Sequence, residues 1–242
     1  MKILWLNLRK RGRNTTVLRA LERLVEADGC DLLMLQETFT PRDRASHLSS
    51  RILGAAVHLS TDLSVFAPSG RLAPELCVVT PRLVAVRVGP ISVLNVHFSP
   101  YSRVEREVDL SELQNCLGRL GLSRLIIGGD FNFAPRACDG LHACAESSWT
   151  GPGERQRFQQ LLSAKDLVDF LAPPESTPQY TITRSRAGAA IEFRCDLVLC
   201  SRALVANAKG RYLHETRLGP WAFTDHSGIY FEVGKDEPQK PA

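Results

Sequence analysis

Three features predict an α/β protein built as a layered sandwich. Strand and helix patterns alternate early in the chain. Hairpin-forming strands crowd its later part. Several fully apolar runs end abruptly in a carboxylate or an amide. With 242 residues, no linker and no tandem repeat, the chain is expected to form one domain over 1–234. The polar stretch 235–242 is expected to be a flexible tail.

The elements follow in order. Residues 3–7 (ILWLN) read as a first strand. Asn14 or Thr15 caps a helix to about Ala27, with Val17, Leu18, Leu21, Leu24 and Val25 on one face. The continuous apolar run 31–37 reads as a strand buried on both faces. A short helix is expected over 42–53, then strands near 56–60, 63–67 and 76–80. Residues 83–88 and 91–97 pair across Gly89-Pro90. A charged helix over 103–120 takes Val104, Val108, Leu113, Leu117 and Leu120 as its apolar stripe. A strand at 124–128 leads to Asp130, and the Pro-, Gly-, Cys- and Ser-rich segment 133–152 reads as a loop. A helix at 153–164 and strands near 179–184, 192–200 and 228–233 complete the pattern.

Composition narrows the setting. Hydrophobic residues at 44% and charged residues at 23% are the ordinary globular balance, so a sizeable core is available. A net charge of +4 fits a phosphate-rich partner without requiring one, and the basic run Arg9, Lys10, Arg11 and Arg13 is more telling than the total. Seven cysteines, an odd number without the spacing of a disulfide framework, read as reduced thiols. Cys138, His142 and Cys144 lack the second pair a zinc site needs. The start MKILWLNLRKRGRN carries its charges after a short apolar run, unlike a signal peptide, and no window approaches the ~20 apolar residues of a membrane span. An intracellular monomer, cytoplasmic or nuclear and without a membrane partner, is expected.

The polar strand ends carry the chemistry. A buried strand that ends in carboxylates is costly unless they do something. Asn7, Glu37, Asp130 with Asn132, and the pair Asp225-His226 all sit at such ends. Together they suit a hard divalent cation and an anionic substrate. A phosphodiester repels nucleophiles, so its hydrolysis needs a cation, a positioned water and help for the leaving oxygen. Magnesium, or manganese in its place, takes oxygen ligands, and Glu37 is the first choice. Asp130 can orient or deprotonate water. Asn132 can hold a phosphate oxygen or fix Asp130. His97 and His226 are donors to phosphate, and Asp196, at the head of DLVLC, is a partner that fixes the tautomer of His226.

In order and at these spacings, Asn7, Glu37, His97, Asp130-x-Asn132, Asp196 and Asp225-His226 resemble the endonuclease/exonuclease/phosphatase superfamily from residue 3 to residue 233. The resemblance implies a four-layer α/β sandwich with two packed mixed β-sheets flanked by helices. It implies that Glu37 holds the metal with Asn7 behind it, that Asp130 and Asn132 handle water and phosphate, and that Asp225 helps bind or orient a metal. The stretch 149–170, with Trp149, Thr150, Glu154, Arg155 and Phe158, is similar to the exonuclease III and apurinic endonuclease branch. In that branch an apolar pocket receives an abasic sugar, and here Ile182, Phe193 and Cys195 stand in those places. The basic loop after Asn7 looks more like the endonuclease domains of non-LTR retroelements.

Duplex DNA is therefore the expected partner. Arg9 and Arg11 are candidates for phosphate contact, and so is Arg103 at its helix start. Trp221 is a core or rim residue that could stack on a base. The expected activity is magnesium-dependent cleavage of the DNA backbone, at abasic sites or by retroelement-type nicking. The alternative is a phosphoesterase of the same superfamily acting on lipid or inositol phosphates.

Overall fold

The computed structural model describes residues 1–12, 14–39, 55–120, 124–140, 150–186, 189–220 and 222–234. The helix expected at 42–53, the residues Arg13, His142, Cys144, Trp149 and Trp221, and the tail 235–242 lie outside them.

Two six-stranded mixed sheets face each other. The first holds β1 (Lys2–Asn7), β2 (Leu32–Gln36), β3 (Ala55–Leu59), β4 (Leu63–Ala67), β13 (Ala208–Leu213) and β14 (Gly228–Val233), in the order β13-β14-β1-β2-β4-β3. The second holds β5 (Glu75–Val79), β6 (Leu83–Val88), β7 (Ile91–His97), β8 (Leu125–Asp130), β9 (Leu167–Asp169) and β12 (Asp196–Ser201), in the order β5-β6-β7-β8-β12-β9. A two-stranded ribbon, β10 (Ile182–Arg186) with β11 (Ala189–Phe193), stands apart. Helix α1 (Thr15–Asp28) covers the first sheet, while α2 (Arg103–Leu120) and α3 (Pro152–Ala164) cover the second. A four-residue helical turn, α4 (Arg202–Val205), follows β12. The result is the predicted four-layer sandwich.

Strand alternation sorts the layers. Ile3, Trp5, Met34, Val65, Val93 and Ile126 fill the space between the sheets. Leu4, Leu6, Leu33 and Leu35 point the other way and pack on Val17, Leu21 and Val25 of α1. Asn14 caps α1 by accepting from the N–H groups of Thr16 and Val17, and Gly29 ends it in the left-handed region at φ +63°. The two glycines before Asp130 are both required. A Cβ at Gly128 would lie 2.5 Å from the Trp5 ring, and one at Gly129, where φ is +134°, would lie 2.1 Å from the Val96 carbonyl oxygen. They let β8 run close under Trp5 and against β7, and so set the height of Asp130. Polar bonds also cross between the sheets: Gln36 donates to Asn95, and Asn95 donates to Leu35 O at 3.0 Å.

Three expectations need correction. Val104 and Val108 face solvent, 73% and 60% exposed. The inner face of α2 instead buries Arg106 and Asp109 beside Leu110, Leu113, Cys116 and Leu117. The Arg106 guanidinium meets Glu154 of α3 at 2.5 Å and donates to Ser99 O, while Asp109 accepts from Ser99 N at 2.6 Å. The stretch 192–200 is not one strand: the chain turns at Arg194-Cys195 and divides it between β11 and β12. Strands β9 and β13 were not anticipated. No helix among the described residues is long and apolar enough to cross a membrane.

Candidate active site

Register brings the polar strand ends to one place. On β7, β8 and β12, His97 pairs with Asp130, and Asp130 with Asp196. On the facing sheet, Asn7 pairs with Gln36, one residue before Glu37. The loop after β1 is tied along the end of β2: Leu8 N donates to Gln36 O, Lys10 N to Glu37 O and Gly12 N to Thr38 O. From the other side, Glu37 N donates to Asp62 O. Glu37 is thus gripped from both flanks in a left-handed backbone, φ +45°. Among the described residues only five other than glycine have positive φ, and Arg9, Lys10, Glu37 and Asn132 are four of them. Such strain concentrates where the surrounding structure forces a side chain into a working position.

Asn7 is the hub. Its Nδ2 donates to Asp130 Oδ2 at 3.0 Å and to Glu37 Oε1 at 3.3 Å, and its Oδ1 accepts from Arg9 N at 2.8 Å. The Thr224 hydroxyl holds Asn7 O at 2.7 Å. Asp130 Oδ1 accepts from Asn132 N at 2.9 Å, and Asn132 Nδ2 donates to Phe98 O at 3.0 Å. His226 Nδ1 lies 3.0 Å from Asp196 Oδ2. Its Nε2 points at Asp130 Oδ2, 3.8 Å away, and lies 4.0 Å from Asp225 Oδ1. His97 Nε2 lies 3.6 Å from Glu37 Oε1. Asp196 is held by its backbone: its N–H donates to Thr181 Oγ1, and Tyr212 OH donates to its carbonyl at 3.1 Å.

Protonation follows from these neighbours. Burial opposes the charge on Glu37, but His97 and Asn7 outweigh it and hold the carboxyl at about 2. Burial also opposes an imidazolium at His226. Asp196 and Asp130 outweigh it and lift the ring to about 9. Asp196 itself is pushed up by burial, against the pull of His226. Both nitrogens of His97 and Nε2 of His226 are buried without a hydrogen-bond partner. Buried polar atoms are rarely left so. Glu37, His97 and Asp130 also present donor atoms all within 4.8 Å of one another. Two hard carboxylates, one ionised far into acid, are a donor set that fits a divalent cation.

The remaining candidates fall in different places. Arg9 Nη1 lies 3.4 Å from Asp225 Oδ2, and Arg11 Nη1 donates to Phe223 O at 3.4 Å, so both reach the segment that carries Asp225 and His226. The side chain of Arg103 lies across Gly151, whose added Cβ would meet it at 2.9 Å. Phe193 is 4% exposed and packs with Ile182, Cys195 and Ala134 inside the molecule. A cleft of about 320 Å³ opens beside Glu37 and His97, lined also by Lys10, Asp62, Arg82 and Tyr101. The sequence reading missed this cleft and the threonines that hold Asn7 and Asp196. A lone hydroxyl in a loop carries no pattern, whereas the exposed Tyr101, four residues after His97, could have been noticed as a rim.

Among curated proteins none matches the chain in sequence. Solved structures resemble it in fold. A 3′ phosphatase, NExo, from Neisseria bound to a product DNA hairpin is 22% identical, with a TM-score of 0.75 over 97% of this chain and 100% of that one. An AP endonuclease from Archaeoglobus fulgidus is 18% identical, with a TM-score of 0.74 over 96% of this chain and 99% of that one. The endonuclease domain of TRAS1, a telomere-specific non-LTR retrotransposon, is 16% identical, with a TM-score of 0.71 over 98% and 99%. A profile of the Endonuclease/Exonuclease/phosphatase family matches residues 4–226. The chain therefore belongs to the Endonuclease/Exonuclease/phosphatase family and is a hydrolytic enzyme acting on phosphodiester bonds.

Proposed function

We propose that the chain is a magnesium-dependent endonuclease of duplex DNA, with residues 1–234 as one catalytic domain. The observation that carries this reading is the Asn7 amide bridging Glu37 and Asp130, with the His226 imidazole aimed at the same carboxylate. Glu37 is the residue for the metal, with Asp130 beside it; a divalent ion there supplies positive charge to the phosphate oxygens.

The protein groups divide the remaining work. Asp196 and Asp130 favour the protonated ring at His226, whose Nε2 faces the centre, and this suits it as a donor to a phosphate oxygen. The base is then Asp130, whose carboxylate receives the proton of the attacking water while Asn7 and Asn132 fix its orientation. Asp196 faces His226 Nδ1 and so stabilises the protonated ring and holds it with Nε2 turned toward the substrate. His97 donates from the Glu37 side, and Arg9 and Arg11 contact the backbone phosphates. The nucleotide beside the scissile bond enters the cleft, where Tyr101 offers a stacking face and Lys10 and Arg82 offer charge.

DNA is favoured by the basic loop at the site and by the similar fold of a phosphatase described with a DNA hairpin. The inward packing of Ile182, Phe193 and Cys195 favours intact strands over an abasic sugar. The test compares a plain duplex, a duplex with one abasic site and sphingomyelin, each with magnesium and with EDTA. Metal-dependent nicking of the plain duplex is expected. Cleavage of the abasic duplex alone would shift the reading to repair. Cleavage of sphingomyelin alone would overturn DNA as substrate.

A further inference from the structure

The carboxylates of this centre have two different kinds of positive partner. Glu37 and Asp130 share a cluster of donor atoms with His97. Asp225, although its Oδ1 is 4.0 Å from His226 Nε2, belongs to no such cluster among the described residues. Its Oδ2 faces the Arg9 guanidinium at 3.4 Å. The backbone aims this arginine. Arg9 N donates to Asn7 Oδ1, and Arg9 and Lys10 are consecutive left-handed residues at φ +50° and +60°. Side-chain-bearing residues adopt that conformation only when held there, and here the loop is bonded to Gln36, Glu37 and Thr38. Asp225 is largely covered, its side chain 11% exposed, whereas Arg9 keeps 53% of its own open to a ligand.

We propose that Arg9 is a built-in second cation. It neutralises Asp225, presents a guanidinium to the phosphate on the His226 side, and restricts the centre to one divalent ion at Glu37. In two-ion phosphoryl sites each ion balances charge on one of the reacting oxygens. A guanidinium beside a covered carboxylate does the same electrostatic work, and its planar fork matches phosphate oxygens. Asp225 is then a positioning residue for Arg9 rather than a metal ligand. The inference rests on phosphodiester cleavage at this site, but its central test needs no substrate.

Manganese titrations followed by electron paramagnetic resonance, on the protein without DNA, count the ions. One bound ion is expected for the wild type and for Arg9→Lys. Arg9→Ala should expose Asp225 and admit a second, weaker ion, which Arg9→Ala/Asp225→Asn loses again. Turnover of Arg9→Ala should fall about 10²-fold at manganese sufficient for the first ion, and recover in part as the second enters. Two ions in the wild type, or a single ion in Arg9→Ala, would overturn the proposal. Neither count depends on which phosphodiester is cut, so failure here and failure of the DNA reading are separate results.

Discussion

Two clusters of buried charge lie two residues apart along the chain and differ in one respect. Around Arg194, every group is matched. Its guanidinium, fully buried, holds both oxygens of Asp139 at 3.0 and 3.1 Å and both oxygens of Asp169 at 2.6 and 3.0 Å. Asp139 also takes Arg136, and Tyr212 closes the group. Around Asp196 and His226, by contrast, one imidazole nitrogen is paired and the other, His226 Nε2, is buried without a hydrogen-bond partner. Both clusters carry desolvation cost. Only the first offsets it with every group paired, by ion pairs that join the loop at Asp139 to the strand at Asp169. The second leaves part of that cost to a ligand. Satisfaction of polar groups, rather than burial of charge, separates the scaffold from the site.

Substitutions should therefore fall into two classes. Asp130→Asn should lower kcat by about 10²–10⁴-fold while leaving the thermal unfolding midpoint in place; an assay paired with a melting curve reads both. Arg194→Leu leaves Asp169 without its arginine and Asp139 with Arg136 alone, and should cost about 3–5 kcal/mol, lowering the midpoint by roughly 6–20 °C for a chain of this size. If Asp130→Asn melted as early as Arg194→Leu, the distinction between the clusters would be lost.

The pH profile sharpens the comparison. Folding raises the affinity of His226 for its proton, so its contribution to stability is present below the ordinary histidine range and is lost as pH rises through about 9. Activity that needs the imidazolium should fall above the same pH. His226→Gln should be slower and should lose that alkaline limb, and an alkaline limb that survived the substitution would assign it to another group. The smallest effect is expected at the rim: Tyr101→Ala should raise KM roughly fivefold or more through lost stacking, with kcat held, in steady-state kinetics on duplex DNA.

Layering and the polar strand ends were legible because both are periodic or positional signals. An apolar run that stops at a carboxylate, such as LIIGGD, is local information, and so is the N-cap at Asn14. What was not legible depends on partners far away in the chain. Arg106 turns α2 by about a face because Glu154, 48 residues on, waits for it. No helical period can show this, so Val104 and Val108 were placed inside. Strand β13, AKGRYL, has too few apolar residues to stand out and exists because it pairs along β14. The turn at Arg194 follows from two acids, 55 residues before it and 25 residues before it. At the site, the structure brings Asn7, Glu37, His97, Asp130, Asn132, Asp196 and His226 together, while it buries Phe193 and lays Arg103 over Gly151.

The most direct test of the account is the position of a manganese ion, located by anomalous scattering in a crystal of the protein. Both buried clusters contain carboxylates, so either could attract the ion. The account predicts a peak in contact with Glu37, beside Asp130, and none at Asp139 or Asp169. A peak at Asp139 or Asp169, with Glu37 left without one, would contradict it.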